Sequence, residues 1–130
     1  MVGEEVRIWD KLRMRVLFIG SVEFSHKILE KLISIDSEIV GVCTKKKSSF
    51  NSDFFDLKPL CDLHFIPCYY ANDINSKESI KWIKDKRPDI IFCFGWSALI
   101  KKDLLSIPLM GVLGYHPTKL PKNRGRHPLI

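Results

Sequence analysis

The chain has 130 residues, and none of its uninterrupted apolar runs approaches the roughly 18 to 20 residues that a membrane-spanning helix needs. The stretch Met1 to Lys11 also lacks the apolar core of a secretion signal. Both absences argue against a membrane partner and predict a soluble, cytoplasmic protein. The four cysteines, Cys43, Cys61, Cys68 and Cys93, contain no Cys-x-x-Cys pair, and two sit inside apolar runs where a small buried thiol is ordinary. Disulfides and zinc are disfavoured, and no metal is expected. Glycine is sparse where it matters most. The turn Gly20-Ser21-Val22-Glu23-Phe24 holds a single glycine at the place where a dinucleotide fold carries several, so close approach of a pyrophosphate is not provided for. A nicotinamide or flavin enzyme is disfavoured in turn. No internal repeat or low-complexity tract is present.

What is present is a chain with 45% hydrophobic and 28% charged residues, the size of one domain and apolar enough to bury a core. Its net charge of +6 favours anionic partners in general, but an excess of this size is common on proteins that bind no nucleic acid.

Met14 to Ile19 is a short run of strand formers stopped by Gly20-Ser21, after which Val22, Ile28, Leu29, Leu32 and Ile33 recur at helical spacing. Glu38 to Cys43 predicts a second strand, and Thr44 to Ser49, with Lys45, Lys46 and Lys47 at its centre, a surface loop. Asp56 is placed to cap a short helix ending near His64, with Pro59 in its first turn, and Phe65 to Tyr69 reads as a third strand. Asn75-x-x-Glu78 resembles a capping box opening a helix that Pro88 stops, and Asp89 to Phe94 is the clearest strand.

The strands at Met14 to Ile19 and Ile90 to Phe94 are apolar on successive residues, so both faces of their sheet must be covered. Strand and helix alternate, which predicts an α/β fold with a doubly wound, mostly parallel sheet and ligands beyond the carboxyl ends of the strands. Gly20-Ser21, Gly95-Trp96-Ser97 and Tyr115-His116 fall at such ends. Gly20 and Ser21 admit two readings, a plain strand-to-helix turn or a helix N-terminus that meets a small ligand. Residues 1–13 precede the first strand as an extension, and 14–130 form the domain.

The segment Gly111 to Ile130 concentrates chemistry: His116, Lys119, Lys122, Arg124, Arg126 and His127 accompany three prolines around a strand end. Pro117 forces His116 into an extended conformation, and Pro121 fixes a second bend, so the imidazole is held on a stiff loop. Such a histidine suits proton transfer or oxyanion stabilisation, although taken alone a histidine at a strand end is more often structural than catalytic. Lys122, Arg124 and Arg126 are either solvated charges or a site for phosphate or carboxylate.

The stretch Gly111 to Gly125, GVLGYHPTKLPKNRG, resembles the signature of the formyltransferases that use 10-formyltetrahydrofolate. MRVLFIGSVEF, EIVGVCT and RPDIIFCFGWSALI fit that family's order from Met14 onward, and so imply its Rossmann-like formyltransferase fold. The FGWS and HPTKLPKNRGRHP stretches are most similar to members that formylate amino sugars on a nucleotide carrier. In the family, an amine attacks the formyl carbon while a histidine, an asparagine and a downstream aspartate handle the proton and the oxyanion. The resemblance puts that histidine at His116.

It puts the asparagine at Gly114, a departure that removes a side-chain amide donor; loss of one such donor costs on the order of a hundredfold in rate unless another group substitutes. The aspartate matches a point beyond Ile130, so the chain is expected to be an incomplete portion of the domain, inactive by itself. Folate contacts implied by the resemblance are Phe94, Gly95, Trp96, Ser97, Leu99 and Ile100, with Leu120 and Pro121 across a cis peptide bond; substrate contacts fall on Gly20, Ser21, Lys122, Arg124 and Gly125. Trp96 by itself reads more readily as packed core than as a pterin platform. A small-molecule amine is the expected partner, nucleic acid is disfavoured, and a homodimer stays open. Formylation of methionyl-tRNA, with the Lys45 to Lys47 loop on phosphates, and a non-catalytic folate-binding remnant are the alternatives.

Overall fold

A computed structural model describes residues 13–48 and 52–115. Five strands and four helices alternate among them: β1 (Arg15–Ile19), α1 (Glu23–Ser34), β2 (Glu38–Thr44), α2 (Lys58–Leu63), β3 (Cys68–Tyr70), α3 (Lys77–Lys86), β4 (Ile90–Phe94), α4 (Lys102–Leu105) and β5 (Val112–Tyr115). The strands form one sheet in the order β3-β2-β1-β4-β5, and every pairing is parallel. The chain winds outward from β1 to β3, then returns through α3 to β4 on the other side of β1. The topological switch point, where such folds bind ligands, therefore lies between the carboxyl ends of β1 and β4.

Continuous apolar runs become strands here because both faces are covered. Leu17, Ile19, Ile91 and Cys93 face a cluster completed by Ile83 of α3 and Leu104 of α4. Phe18 and Val42 face the opposite cluster with Leu29 of α1 and Cys61 of α2. Phe18, Leu17 and Ile19 are fully buried. Each contributes roughly 1.5–3 kcal/mol of hydrophobic stabilisation. α3 stops where its last carbonyls are taken: the Arg15 guanidinium donates to Lys86 O at 2.7 Å and Arg87 O at 3.0 Å. Arg87 then turns left-handed at φ 49° ahead of Pro88.

Three local expectations need correction. The third strand begins at Cys68 rather than Phe65, because Phe65 adopts φ 57° while closing the turn after α2 and Pro67 has no N–H to donate. The cap of α3 is Ser76, whose Oγ accepts from Ser79 N at 3.1 Å, and not a box between Asn75 and Glu78. Asp56 does stabilise the start of α2, accepting from Lys58 N at 2.9 Å, but the capping position itself is Leu57. Among the described residues no helix is long and apolar enough to cross a membrane.

Candidate functional site

The floor of the site is the seam between the β1 and β4 carboxyl ends. Gly20 N donates to Cys43 O at 3.1 Å and Ser21 N to Gly95 O at 3.0 Å. Ser25, buried in the first turn of α1, accepts from Val22 N at 3.2 Å and donates its hydroxyl to Phe94 O. A Cβ on Gly20 would stand 2.3 Å from Phe94 O, and one on Gly95, whose φ is +77°, would stand 2.2 Å from Ser25 Oγ. Both positions thus require glycine: one for close approach, the other also for conformation. Glu23 N donates to Asp53 O at 2.9 Å, so the N–H groups of residues 20 to 23 are all engaged within the protein. Of the two readings of Gly20 and Ser21, this geometry favours the plain turn, since an anion there would have to displace an existing acceptor.

One wall is the segment after β4. Trp96 is 4% exposed and belongs to the larger core cluster; the Lys45 ammonium lies 4.8 Å from its ring centroid. The indole Nε1 is buried and, among the described residues, has no hydrogen-bond partner. Between the two readings of Trp96, packed core describes its surroundings, with a cation over the ring. Ile100 is also buried at 7%, whereas Leu99 is 70% exposed and Ser97 is open to solvent. Phe94 is half-buried, stacked on Phe18 with centroids 6.2 Å apart and edge-on to Phe24 and Phe92. Asn75 pins this segment from outside: its Nδ2 donates to Leu99 O at 2.8 Å and its Oδ1 accepts from Lys101 N at 2.9 Å.

The other wall runs from the end of β2 into α2. Phe55 N donates to Ser21 O at 2.8 Å, tying this segment to the floor, while Leu57 N donates to Thr44 Oγ1 at 3.3 Å. The Tyr70 hydroxyl donates to Asp56 Oδ2 at 2.7 Å; that hydrogen bond, with burial and the carboxylate's charge, pushes the phenol up to about 12. The His26 ring packs 4.2 Å from Phe55.

β5 reaches the same edge. Cys93 pairs with Gly114 and Phe94 with Tyr115, which sets the end of β5 level with the end of β4. At Gly114 a Cβ would be 2.4 Å from Cys93 O, so this strand pairing is built around a residue with no side chain. His116, Leu120, Pro121, Lys122, Arg124 and Gly125, the Leu120-Pro121 peptide bond and the extension up to residue 12 lie outside the described residues. Clefts lined by Lys84, Pro88 and Ile107 and by Asp36, Glu38 and His64 open instead at the amino-terminal ends of the strands.

A family model described as formyl transferase matches residues 13–129, nearly the whole chain. The chain belongs to the formyl transferase family. Similar curated proteins include the methionyl-tRNA formyltransferase of Thermotoga maritima, 32% identical over 120 residues that cover 89% of this chain and 38% of that protein. Another is the bifunctional polymyxin resistance protein ArnA of Wigglesworthia glossinidia brevipalpis, 30% identical over 118 residues covering 89% of this chain and 18% of that one. The chain therefore spans well under half the length of these curated relatives. Among solved structures, glycinamide ribonucleotide transformylase 1 from Geobacillus kaustophilus superposes with a TM-score of 0.61 at 16% identity, covering 89% of this chain and 64% of that one. That likeness establishes a shared Rossmann-like formyltransferase fold.

Several features of this edge were not read from the sequence. Asn75 looked like a helix cap, and nothing local in the chain links it to residues 99 and 101. Lys45 looked like one of three solvated lysines, yet it alone lies over Trp96. The pairing of Asp56 with Tyr70 joins residues 14 apart and needs the β2–β3 register to bring them together. Among the described residues no group of three His, Cys, Asp or Glu side chains is arranged to hold a metal ion.

Proposed function

We propose that this formyl transferase moves a formyl group from 10-formyltetrahydrofolate to an amine, with an amino sugar on a nucleotide carrier as acceptor. The observation that carries this reading is the family match over residues 13–129. In this reading, Phe94, Gly95, Trp96, Ser97, Leu99 and Ile100, with Leu120 and Pro121, hold the folate, and His116 takes the proton as the amine attacks. Lys122, Arg124 and Gly125 meet the acceptor, with Gly20 and Ser21 as its floor. The amine nitrogen bonds to the formyl carbon, a tetrahedral oxyanion forms, and its collapse breaks the bond to the folate nitrogen, which takes up a proton. With glycine at 114 the oxyanion has no side-chain amide at that point; either Tyr115, a backbone N–H or a substrate group serves, or the rate is low. The FGWS and HPTKLPKNRGRHP stretches support the amino-sugar acceptor. We place the reaction in the cytoplasm.

The test is transfer by the protein encoded by the whole reading frame. Mass spectrometry of amino-sugar nucleotides incubated with it and 10-formyltetrahydrofolate should show the gain of one formyl group. Absence of both folate-analogue binding and transfer refutes the proposal. A second reading, formylation of methionyl-tRNA, is supported by the name of the Thermotoga relative; formylated methionyl-tRNA and steeply salt-dependent tRNA binding would select it. A third, folate binding without chemistry, is supported by Gly114, and binding without transfer to any amine would select that one.

A further inference from the structure

The two faces of the sheet are covered unequally over β4 and β5. The crossovers that wind from β1 to β3 put α1 and α2 on one face, and the return through α3 and α4 puts those helices on the other, as right-handed connections require. Along β4 the result is an alternation. Ile91 and Cys93, under α3 and α4, are buried, while Ile90, Phe92 and Phe94 are half-buried. β5 repeats it, with Val112 buried and Leu113, the partner of Phe92, 39% exposed. Beyond the edge of α1, these strands present an apolar face that no described helix closes.

Beside α1 this face opens as a cleft of about 330 Å³. Leu32 and Ile35 of α1, Phe92 of β4, and Met14 and Val16 at the start of β1 line it. Ile35 is 59% exposed and Met14 42%, large apolar side chains gathered at one place on the surface. Such a patch marks a docking surface. Arg13 and Glu38 complete the lining, and Arg13 is fixed there: its guanidinium donates to the Asp36 carbonyl and lies 3.7 Å from Glu38 Oε1.

Residues 1–12 therefore leave the domain from this cleft, and they carry Val6, Ile8, Trp9 and Leu12. Trp9 stands four residues before Arg13, a reach of up to about 13 Å, against the roughly 10 Å between packed layers. Residues 116–130, which also lie outside the described residues, follow the carboxyl end of β5, at the opposite edge of the sheet from the cleft.

We propose that residues 1–12 pack back along α1 with Trp9 in this cleft, closing the apolar face over Phe92 and bracing β4, whose far end forms the site. The indole supplies the apolar area, and Ser37 and Glu38 in the lining offer acceptors for its N–H. Glu4, Glu5, Arg7, Asp10 and Lys11 stay in water. This docking is independent of which amine the protein formylates.

The test uses the protein encoded by the whole reading frame, with p-benzoylphenylalanine in place of Trp9. Irradiation and peptide mapping should link position 9 to the Leu32 to Ile35 turn of α1, or to Phe92, within one chain. Removing residues 1–12 should lower the melting temperature by roughly 5 °C or more and speed hydrogen exchange in β4. Ile35→Lys supplies a second measure. It should destabilise the parent, yet shift the melting temperature of the shortened protein by less than about 2 °C, since there the side chain meets only water. No link, links only to other segments, or links between two copies overturn the proposal. So do an unchanged melting temperature on removal and an equal effect of Ile35→Lys with and without residues 1–12.

Discussion

Replacing Gly114 by alanine or asparagine tests whether the β4–β5 pairing tolerates any side chain at this position. The new Cβ would lie 2.4 Å from the carbonyl oxygen of Cys93, about an ångström inside ordinary contact, and that oxygen belongs to a backbone clamped in the sheet interior. Overpacking of this kind costs typically about 1–3 kcal/mol. Leaving glycine in a strand recovers about 0.5–1 kcal/mol of conformational freedom. The balance is a loss of roughly 0.5–2 kcal/mol, equivalent to a melting temperature lower by about 2–8 °C in a domain of this size. Alanine and asparagine should both show it, because the clash is at Cβ and not at the amide. Thermal unfolding followed by circular dichroism, with urea titration as a second measure, gives the comparison. An alanine variant as stable as the parent, or more so, refutes the close pairing and makes Gly114 an open position at which the amide could simply be restored.

Ser25→Ala removes the one hydroxyl that accepts Val22 N–H and donates to Phe94 O, and should cost about 1–3 kcal/mol with faster hydrogen exchange at Val22. Asn75→Ala releases Leu99 O and Lys101 N at the exposed edge; the Lys101 amide should exchange faster and a folate analogue bind more weakly, with the melting temperature nearly unchanged. Tyr70 holds its proton more tightly folded than unfolded, so its contribution to stability is complete below about pH 10 and is lost as pH rises towards about 12. Stability measured across that window should fall less steeply in Tyr70→Phe than in the parent.

The central strands were legible because residues such as Leu17, Phe18 and Ile91 are apolar in succession, a pattern that only a sheet covered on both faces satisfies. β3 was harder to place, since Phe65 and Ile66 are as apolar as the residues of β1 while the left-handed turn at Phe65 is set by the way α2 ends. Short α4 carries too few residues to show a period. Gly20 and Gly95 are legible because main-chain demands leave a mark on residue type. Asn75, Lys45 and the Asp56–Tyr70 pair are not, because each acts across a distance in sequence that only the sheet order closes. Trp96 shows the limit of residue type most directly: the same tryptophan after a strand serves as pterin platform or as core, and its neighbours decide.

The seam joining Gly20, Ser21, Ser25, Phe94 and Gly95 is made mostly of main chain, with the hydroxyls of Ser21 and Ser25 as its side-chain ties. A molecule arriving there finds a surface that offers little by which to tell one acceptor from another. In the proposed reaction, discrimination must then come from the exposed positions of the borders, such as Ser97 and Leu99 after β4, since Trp96, Ile100 and Leu57 are held in the core. Exchanging Ser97 and Leu99 between relatives, while leaving Gly20, Ser25 and Gly95 in place, is accordingly the most direct test of whether, under the proposed formyl transfer, the border selects the amine.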